Sequence, residues 1–117
     1  MNSTQSLKAA LVGCGGLGSR HAKNVDALEN VDLVAVCDAH LEAAQKLAAD
    51  LPGSPSPYSN HQEMLSDCAP DAVLVVTPNH VHAPVTVDAA QLGAHVFCEK
   101  PMALSVEDCD RMIEAAE

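Results

Sequence analysis

The stretch Leu11-Val12-Gly13-Cys14-Gly15-Gly16-Leu17-Gly18 constrains this 117-residue chain more than any other. It joins a short apolar run to an amphipathic one through a G-x-G-x-x-G turn, so it demands a buried strand, a tight bend and a helix in that order. Gly13 permits the bend, Gly15 lets a ligand approach the backbone closely, and Gly18 lets the helix sit against the strand before it. The helix that opens here offers unpaired N–H groups and the positive end of its dipole to an anion. Gly16 and Leu17 lie within the same turn and belong to the candidate site.

Glycine-rich turns also occur for purely conformational reasons, so the surrounding sequence has to decide. Asp38 stands twenty residues after Gly18 and directly follows the apolar run Val31 to Cys37. A dinucleotide fold places its ribose-binding acid there. A carboxylate at that point accepts hydrogen bonds from ribose hydroxyls and repels a 2′-phosphate, so the expected cofactor is NAD, with NADP disfavoured. Asp is equally at home as a helix cap, which leaves capping of the next helix as the alternative role.

Read in order, strands and helices alternate five times. Met1 to Ser6 reads as a disordered leader, and residues 7–117 as one dinucleotide-binding domain. Lys8 to Val12 is the first strand. A helix from Gly16 to about Glu29 follows, with Leu17, Val25 and Leu28 on its apolar face; His21 reads as a packed or capping residue, and Arg20 and Lys23 as solvent-facing. Val31 to Cys37 is the second strand. The next helix runs from Leu41 to Leu51, with Leu41, Ala44, Leu47, Ala48 and Leu51 as its buried stripe and Pro52-Gly53 as its stop. The proline-rich stretch Gly53 to Ser59 has room for only a very short third strand near Pro57-Tyr58. Asn60 with Glu63 resembles a capping box for a short helix.

Asp71 to Thr77 reads as a strand apolar on both faces, leading into Thr77-Pro78-Asn79-His80-Val81-His82. A helix from about Ala83 to Leu92 ends on Gly93 at its C′ position. The strand Ala94 to Cys98, the tripeptide Glu99-Lys100-Pro101 and a helix capped by Ser105 complete the chain. This is the pattern of an α/β, doubly wound parallel sheet with right-handed crossovers. Ligands of such sheets lie at the carboxyl ends of the strands, the edge that would carry the glycine turn, Asp38, the Thr77 to His82 loop and Glu99-Lys100.

Composition excludes several classes of function. Sixteen acidic against six basic side chains leave a formal charge of −10, with no basic stripe and almost no aromatic residues, which argues against nucleic-acid binding. An anionic cofactor must then be held by backbone donors and a few placed side chains. The apolar share is 48% but lies in short runs, none near the roughly 20 residues that cross a bilayer. Met1 to Ser6 lacks a basic region and an apolar core, so nothing marks export and the expected compartment is the cytoplasm.

Five cysteines with no C-x-x-C pair read as reduced core residues. Cys14 has a second reading, a reactive thiol lowered by the helix dipole. His80 and His82 are spaced to point the same way on extended backbone, but no further ligands at matching spacing complete a zinc site, and no metal is expected. Lys100 directly follows an apolar strand and precedes a proline that restricts it. Beside a nicotinamide ring it could stabilise an alkoxide or relay a proton, with Glu99 tuning it; otherwise the two are a solvated pair.

The glycine turn at Gly13 to Gly18, the acid at Asp38, Thr77-Pro78-Asn79-His80-Val81-His82 and Glu99-Lys100-Pro101, in this order and spacing, resemble the N-terminal domain of the Gfo/Idh/MocA oxidoreductase family. The resemblance spans residues 7 to 117. It implies a Rossmann domain with NAD or NADP across the strand ends and hydride transfer at a hydroxyl carbon of a sugar, cyclitol or related polyol. Lys100 matches the catalytic lysine, while Glu99, Thr77, Pro78, Asn79 and His82 match positions near the cofactor. Family members continue into a second α/β domain that forms the substrate pocket, and this chain stops at Glu117. The expectation is therefore a cofactor domain, inactive by itself and prone to homo-oligomerise through exposed apolar surface. A non-catalytic NAD-binding or interaction module is the alternative; a methyltransferase is disfavoured by the glycine spacing and the Glu-Lys-Pro end.

Overall fold

A computed structural model describes residues 7–77, 82–98 and 106–116. Five strands, β1 (Leu7–Val12), β2 (Val31–Cys37), β3 (Ser56–Tyr58), β4 (Ala72–Val75) and β5 (His95–Cys98), form one sheet in the order β3-β2-β1-β4-β5. Every pairing is parallel. The order reverses between β1 and β4, and such a switch point opens a crevice at the carboxyl edge. The helices are α1 (Gly16–Asp26), α2 (Leu41–Asp50), α3 (His61–Cys68), α4 (His82–Gln91) and α5 (Val106–Ala116).

Alternation along the strands sorts the helices into two layers. Ala9, Leu11, Leu33 and Val36 pack with Ala22 of α1 and Ala44, Leu47 and Ala48 of α2. Ala10, Val12, Ala35, Val73 and Val75 pack on the other face with Met64 and Leu65 of α3 and Val85 and Ala89 of α4. α5 packs against α4. Because β1 is buried on both faces from Ala9 to Val12, its sequence is a continuous apolar run and not an alternating one.

Local chemistry accounts for the element ends. The third strand is three residues long and lies at the sheet edge, where Pro57 deprives no outer neighbour of a ladder bond. Asn60 Oδ1 accepts a 3.0 Å bond from Glu63 N, the cap foreseen for α3. α4 closes in a Schellman motif: Ala94 N donates to Ala89 O and Gly93 N to Ala90 O.

Three expectations need correction. α1 ends at Asp26, not near Glu29. Leu17 and Leu28 are 45% and 55% exposed; Val25 packs partly buried against the core as expected, and the residues of α1 that are fully buried are its small ones, Gly18 and Ala22, because the helix begins close to β1. Leu41 is also exposed, standing at the first turn of α2 beyond the end of β2. His21, by contrast, is packed: its ring meets Phe97 edge to face at a centroid distance of 5.7 Å. The leader 1–6 and the cap at Ser105 lie outside the described residues.

Candidate functional site

The chain leaves β1 at Val12 and bends at Gly13, whose φ of +107° an L side chain rarely adopts. A Cβ there would also stand 2.5 Å from the Val76 carbonyl oxygen. At Gly18 a Cβ would collide with the Gly13 carbonyl, so this glycine lets the first turn of α1 fold back on the bend itself. Gly15 and Gly16 differ, since an added Cβ would meet nothing within 4 Å at either. Two glycines of the motif are thus required by packing, and two border open space.

Hydrogen bonds fasten the bend to its neighbours. Gly13 N donates to Cys37 O at 2.7 Å and Val76 N to Val12 O at 2.8 Å, linking the ends of β1, β2 and β4. Ser19 Oγ donates to Cys14 O at 3.2 Å. Gly15 caps α1 without a side-chain hydrogen bond, and no acid lies in the first turn. Within the helix itself no carboxylate offsets the dipole and N–H groups at that end.

Asp38 follows β2 and reaches across to this bend. Its Oδ2 accepts from Cys14 N at 2.9 Å and its Oδ1 from His40 N at 2.9 Å. The N-cap of α2 is His40, so Asp38 is not the cap; it ties the glycine turn to the loop after β2. Each carboxylate oxygen keeps a second acceptor site, which leaves the group able to receive a ligand's hydroxyls.

Gly13, Gly15, Gly16, Leu17, Gly18, Asp38 and Thr77 line one cavity of about 510 Å³, together with Val12, Ala39, His40 and Val76. The structure therefore brings together seven of the residues singled out in the sequence. Pro78, Asn79, Glu99 and Lys100, with His80, lie outside the described residues, as does the side chain of His82, whose backbone opens α4. Ala39, His40 and Val76 carry no separate sequence signal and enter as chain neighbours of Asp38 and Thr77. Among the described residues no group of three His, Cys, Asp or Glu side chains gathers as a metal site.

The thiols beneath the turn are closed to chemistry at neutral pH. Burial pushes Cys14 up to about 12, with the negative charge of Asp38 and then Cys37 adding to the effect. Burial, then Asp38, pushes Cys37 up to about 11. The reading of Cys14 as a dipole-activated thiol is thereby overturned: desolvation and an adjacent carboxylate outweigh the helix end.

A five-stranded parallel sheet with a glycine turn opening onto its switch point is the architecture of a dinucleotide-binding domain. The sequence model of the oxidoreductase family with an NAD-binding Rossmann fold matches residues 7–117. The chain belongs to the Gfo/Idh/MocA family. Inositol 2-dehydrogenase of Salmonella typhimurium is 34% identical over 113 residues, covering 96% of this chain and 34% of the relative. The crystal structure of the WlbA dehydrogenase from Bordetella pertussis, in complex with NADH and UDP-GlcNAcA, superposes with a TM-score of 0.88 at 34% identity. The match covers 96% of this chain and 34% of that one. A third relative, alpha-N-acetylgalactosaminidase of Shewanella oneidensis, is 32% identical over 119 residues, 95% of this chain and 26% of its own length. This Gfo/Idh/MocA chain thus spans about a third of the curated relatives it matches. No helix among its described residues is long and apolar enough to cross a membrane.

Proposed function

We propose that residues 7–117 are the nucleotide-binding domain of an NAD-dependent oxidoreductase that transfers hydride at a hydroxyl carbon of a sugar, cyclitol or related polyol. The observation that carries this reading is the cavity in which the uncapped start of α1, the open sides of Gly15 and Gly16, and the Asp38 carboxylate face one space. Backbone N–H groups of the turn hold the pyrophosphate, and Asp38 accepts from the ribose hydroxyls. A 2′-phosphate would meet that carboxylate, which favours NAD over NADP. Leu17, Thr77, Pro78, Asn79, His82 and Glu99 complete the cofactor edge.

When bound, the nicotinamide supplies the hydride acceptor or donor. Lys100, two residues beyond the end of β5, donates a hydrogen bond to the reacting hydroxyl oxygen and stabilises the alkoxide. The substrate pocket belongs to the longer protein, and the 117 residues by themselves bind cofactor without turnover. Free, buried Cys14 and Cys37 fit a reducing, cytoplasmic setting. Exposed Leu92, Phe97 and Ile113 fit burial in a homo-oligomer.

A second reading has its own support. The relative named as an N-acetylgalactosaminidase shares this domain, so the same dinucleotide site would serve a glycoside-cleaving protein, or a binding module without catalysis. Titration with NADH and NADPH, followed by the cofactor's own fluorescence because the chain has no tryptophan, tests the domain assignment. Saturable binding with NADH tighter is expected, and Asp38→Ser should narrow the difference. A folded chain that binds neither cofactor would put the binding-module reading without NAD ahead.

A further inference from the structure

We infer that the ring contact between His21 and Phe97 is a brace by which the helix that holds the phosphates sets the nicotinamide end of the cofactor site; this rests on the cofactor reading above. The glycine turn and Asp38, which take the phosphates and one ribose, stand at the ends of β1 and β2. A dinucleotide lies across the switch point of such a sheet, so its other half extends over β4 toward β5. The main cavity already reaches the end of β4, with Val76 and Thr77 on its wall.

β5 has four residues and lies at the sheet edge, paired with β4. Register sets Leu11 of β1, Leu74 of β4 and Phe97 of β5 side by side, on the face covered by α1. Cover fades along this row. Leu11 is fully buried, Leu74 is partly buried and Phe97 is 52% exposed. His21 of α1 reaches the outermost member, its ring meeting Phe97 at a centroid distance of 5.7 Å and an interplanar angle of 65°. On the opposite face Val96 packs with Val85 and Ala89 of α4. β5 is thereby held between two helices, by Val96 on one side and by Phe97 on the other.

The two ends of the contact give it a role beyond packing. His21 lies in the second turn of α1, whose first residues face the phosphates, and Phe97 is next to Cys98, the last residue of β5. An edge-to-face pair is directional, because the positive ring edge is drawn to the negative ring face. It fixes the angle between helix and strand as an aliphatic contact of the same size does not. His21 does not line the main cavity. It is a positioning residue that acts through Phe97.

NADH and ADP-ribose separate the two halves of the site, since ADP-ribose has the adenosine, the phosphates and a ribose but no nicotinamide. The 117-residue chain is titrated with NADH by the cofactor's emission and with ADP-ribose by calorimetry, with a thermal melt for each variant. His21→Leu and Phe97→Leu keep bulk and remove one ring. Each should lower NADH affinity about threefold, within the scale of one aromatic pair, and reduce the emission of each bound NADH, while ADP-ribose affinity stays the same. His21→Phe keeps a ring pair and should restore both readouts. Variants that weaken NADH and ADP-ribose by the same factor, or leave the emission of bound NADH unchanged, would overturn the brace and leave an ordinary packing contact. Loss of the folded melt in both leucine variants, or no recovery in His21→Phe, would overturn it as well. Failure of the unaltered chain to bind either compound would overturn the cofactor reading itself, and this inference with it.

Discussion

A methyl group added at Gly18 would collide with the Gly13 carbonyl, whereas one at Gly15 would meet nothing within 4 Å. The two substitutions should therefore separate folding from binding. Gly18→Ala is expected to cost about 2 kcal/mol or more in a urea melt, as backbone-level overpacking does. Gly15→Ala should cost less, about 0.5–1 kcal/mol for a poorer helix cap, and weaken NADH several-fold by filling the space the phosphates need. The buried thiols give a second prediction. Cys14 and Cys37 ordinarily titrate near 9 and are raised to about 12 and about 11. Between those limits the folded chain keeps protons that the unfolded chain has lost, so stability falls as pH rises from about 9 toward 12. Urea melts at pH 8 and pH 10.5 should show that fall, reduced in Cys14→Ala. At pH 8, mass spectrometry should find Cys14 and Cys37 alkylated more slowly than the partly exposed Cys68.

Short elements at the edge of this sheet depend on single residues more than the central strands do. α3 has eight residues, and its start is held by the Asn60 side chain. Asn60→Ala should cost about 1 kcal/mol, as loss of a helix cap does, measurable as a shift in the urea midpoint at constant slope. α1 illustrates how tertiary packing overrides periodicity. Its apolar spacing pointed to Leu17 and Leu28, yet the close approach enforced by Gly18 fully buries only Gly18 and Ala22. Leu17 is left on the cavity wall.

At the scale of the whole molecule, the parallel sheet gathers chemistry from distant sequence at one edge. Val12, Cys37 and Val75 end their strands in register beside Cys98, the last residue of β5. Lys100 follows two residues later in the sequence. In a full-length relative-sized protein, Lys100→Ala should leave NADH affinity unchanged and lower kcat by about 100-fold or more, the usual range for loss of a positioned acid–base group. Equal turnover would remove Lys100 from catalysis.

The order of elements, the sheet class and the glycine bend were legible from the sequence because each rests on local chemistry. Gly13 needs positive φ, Pro57 needs an edge, Asn60 caps its own helix, and continuous apolar runs need a sheet buried on both faces. Other features were settled only by contacts between segments far apart in the chain. Asp38 turned out to join the Cys14 amide and not to cap α2, a choice made by the meeting of two strand ends 24 residues apart. The thiol of Cys14 was silenced by burial and by that same carboxylate, neither of which periodicity reveals. His61 and Gln62 of α3 meet the Asp88 carboxylate of α4, at 2.7 and 3.2 Å, only because two helices cover one face of the sheet. Short-range propensity determined where the backbone turns; long-range packing decided which side chains share a charge, a hydrogen bond or a cavity.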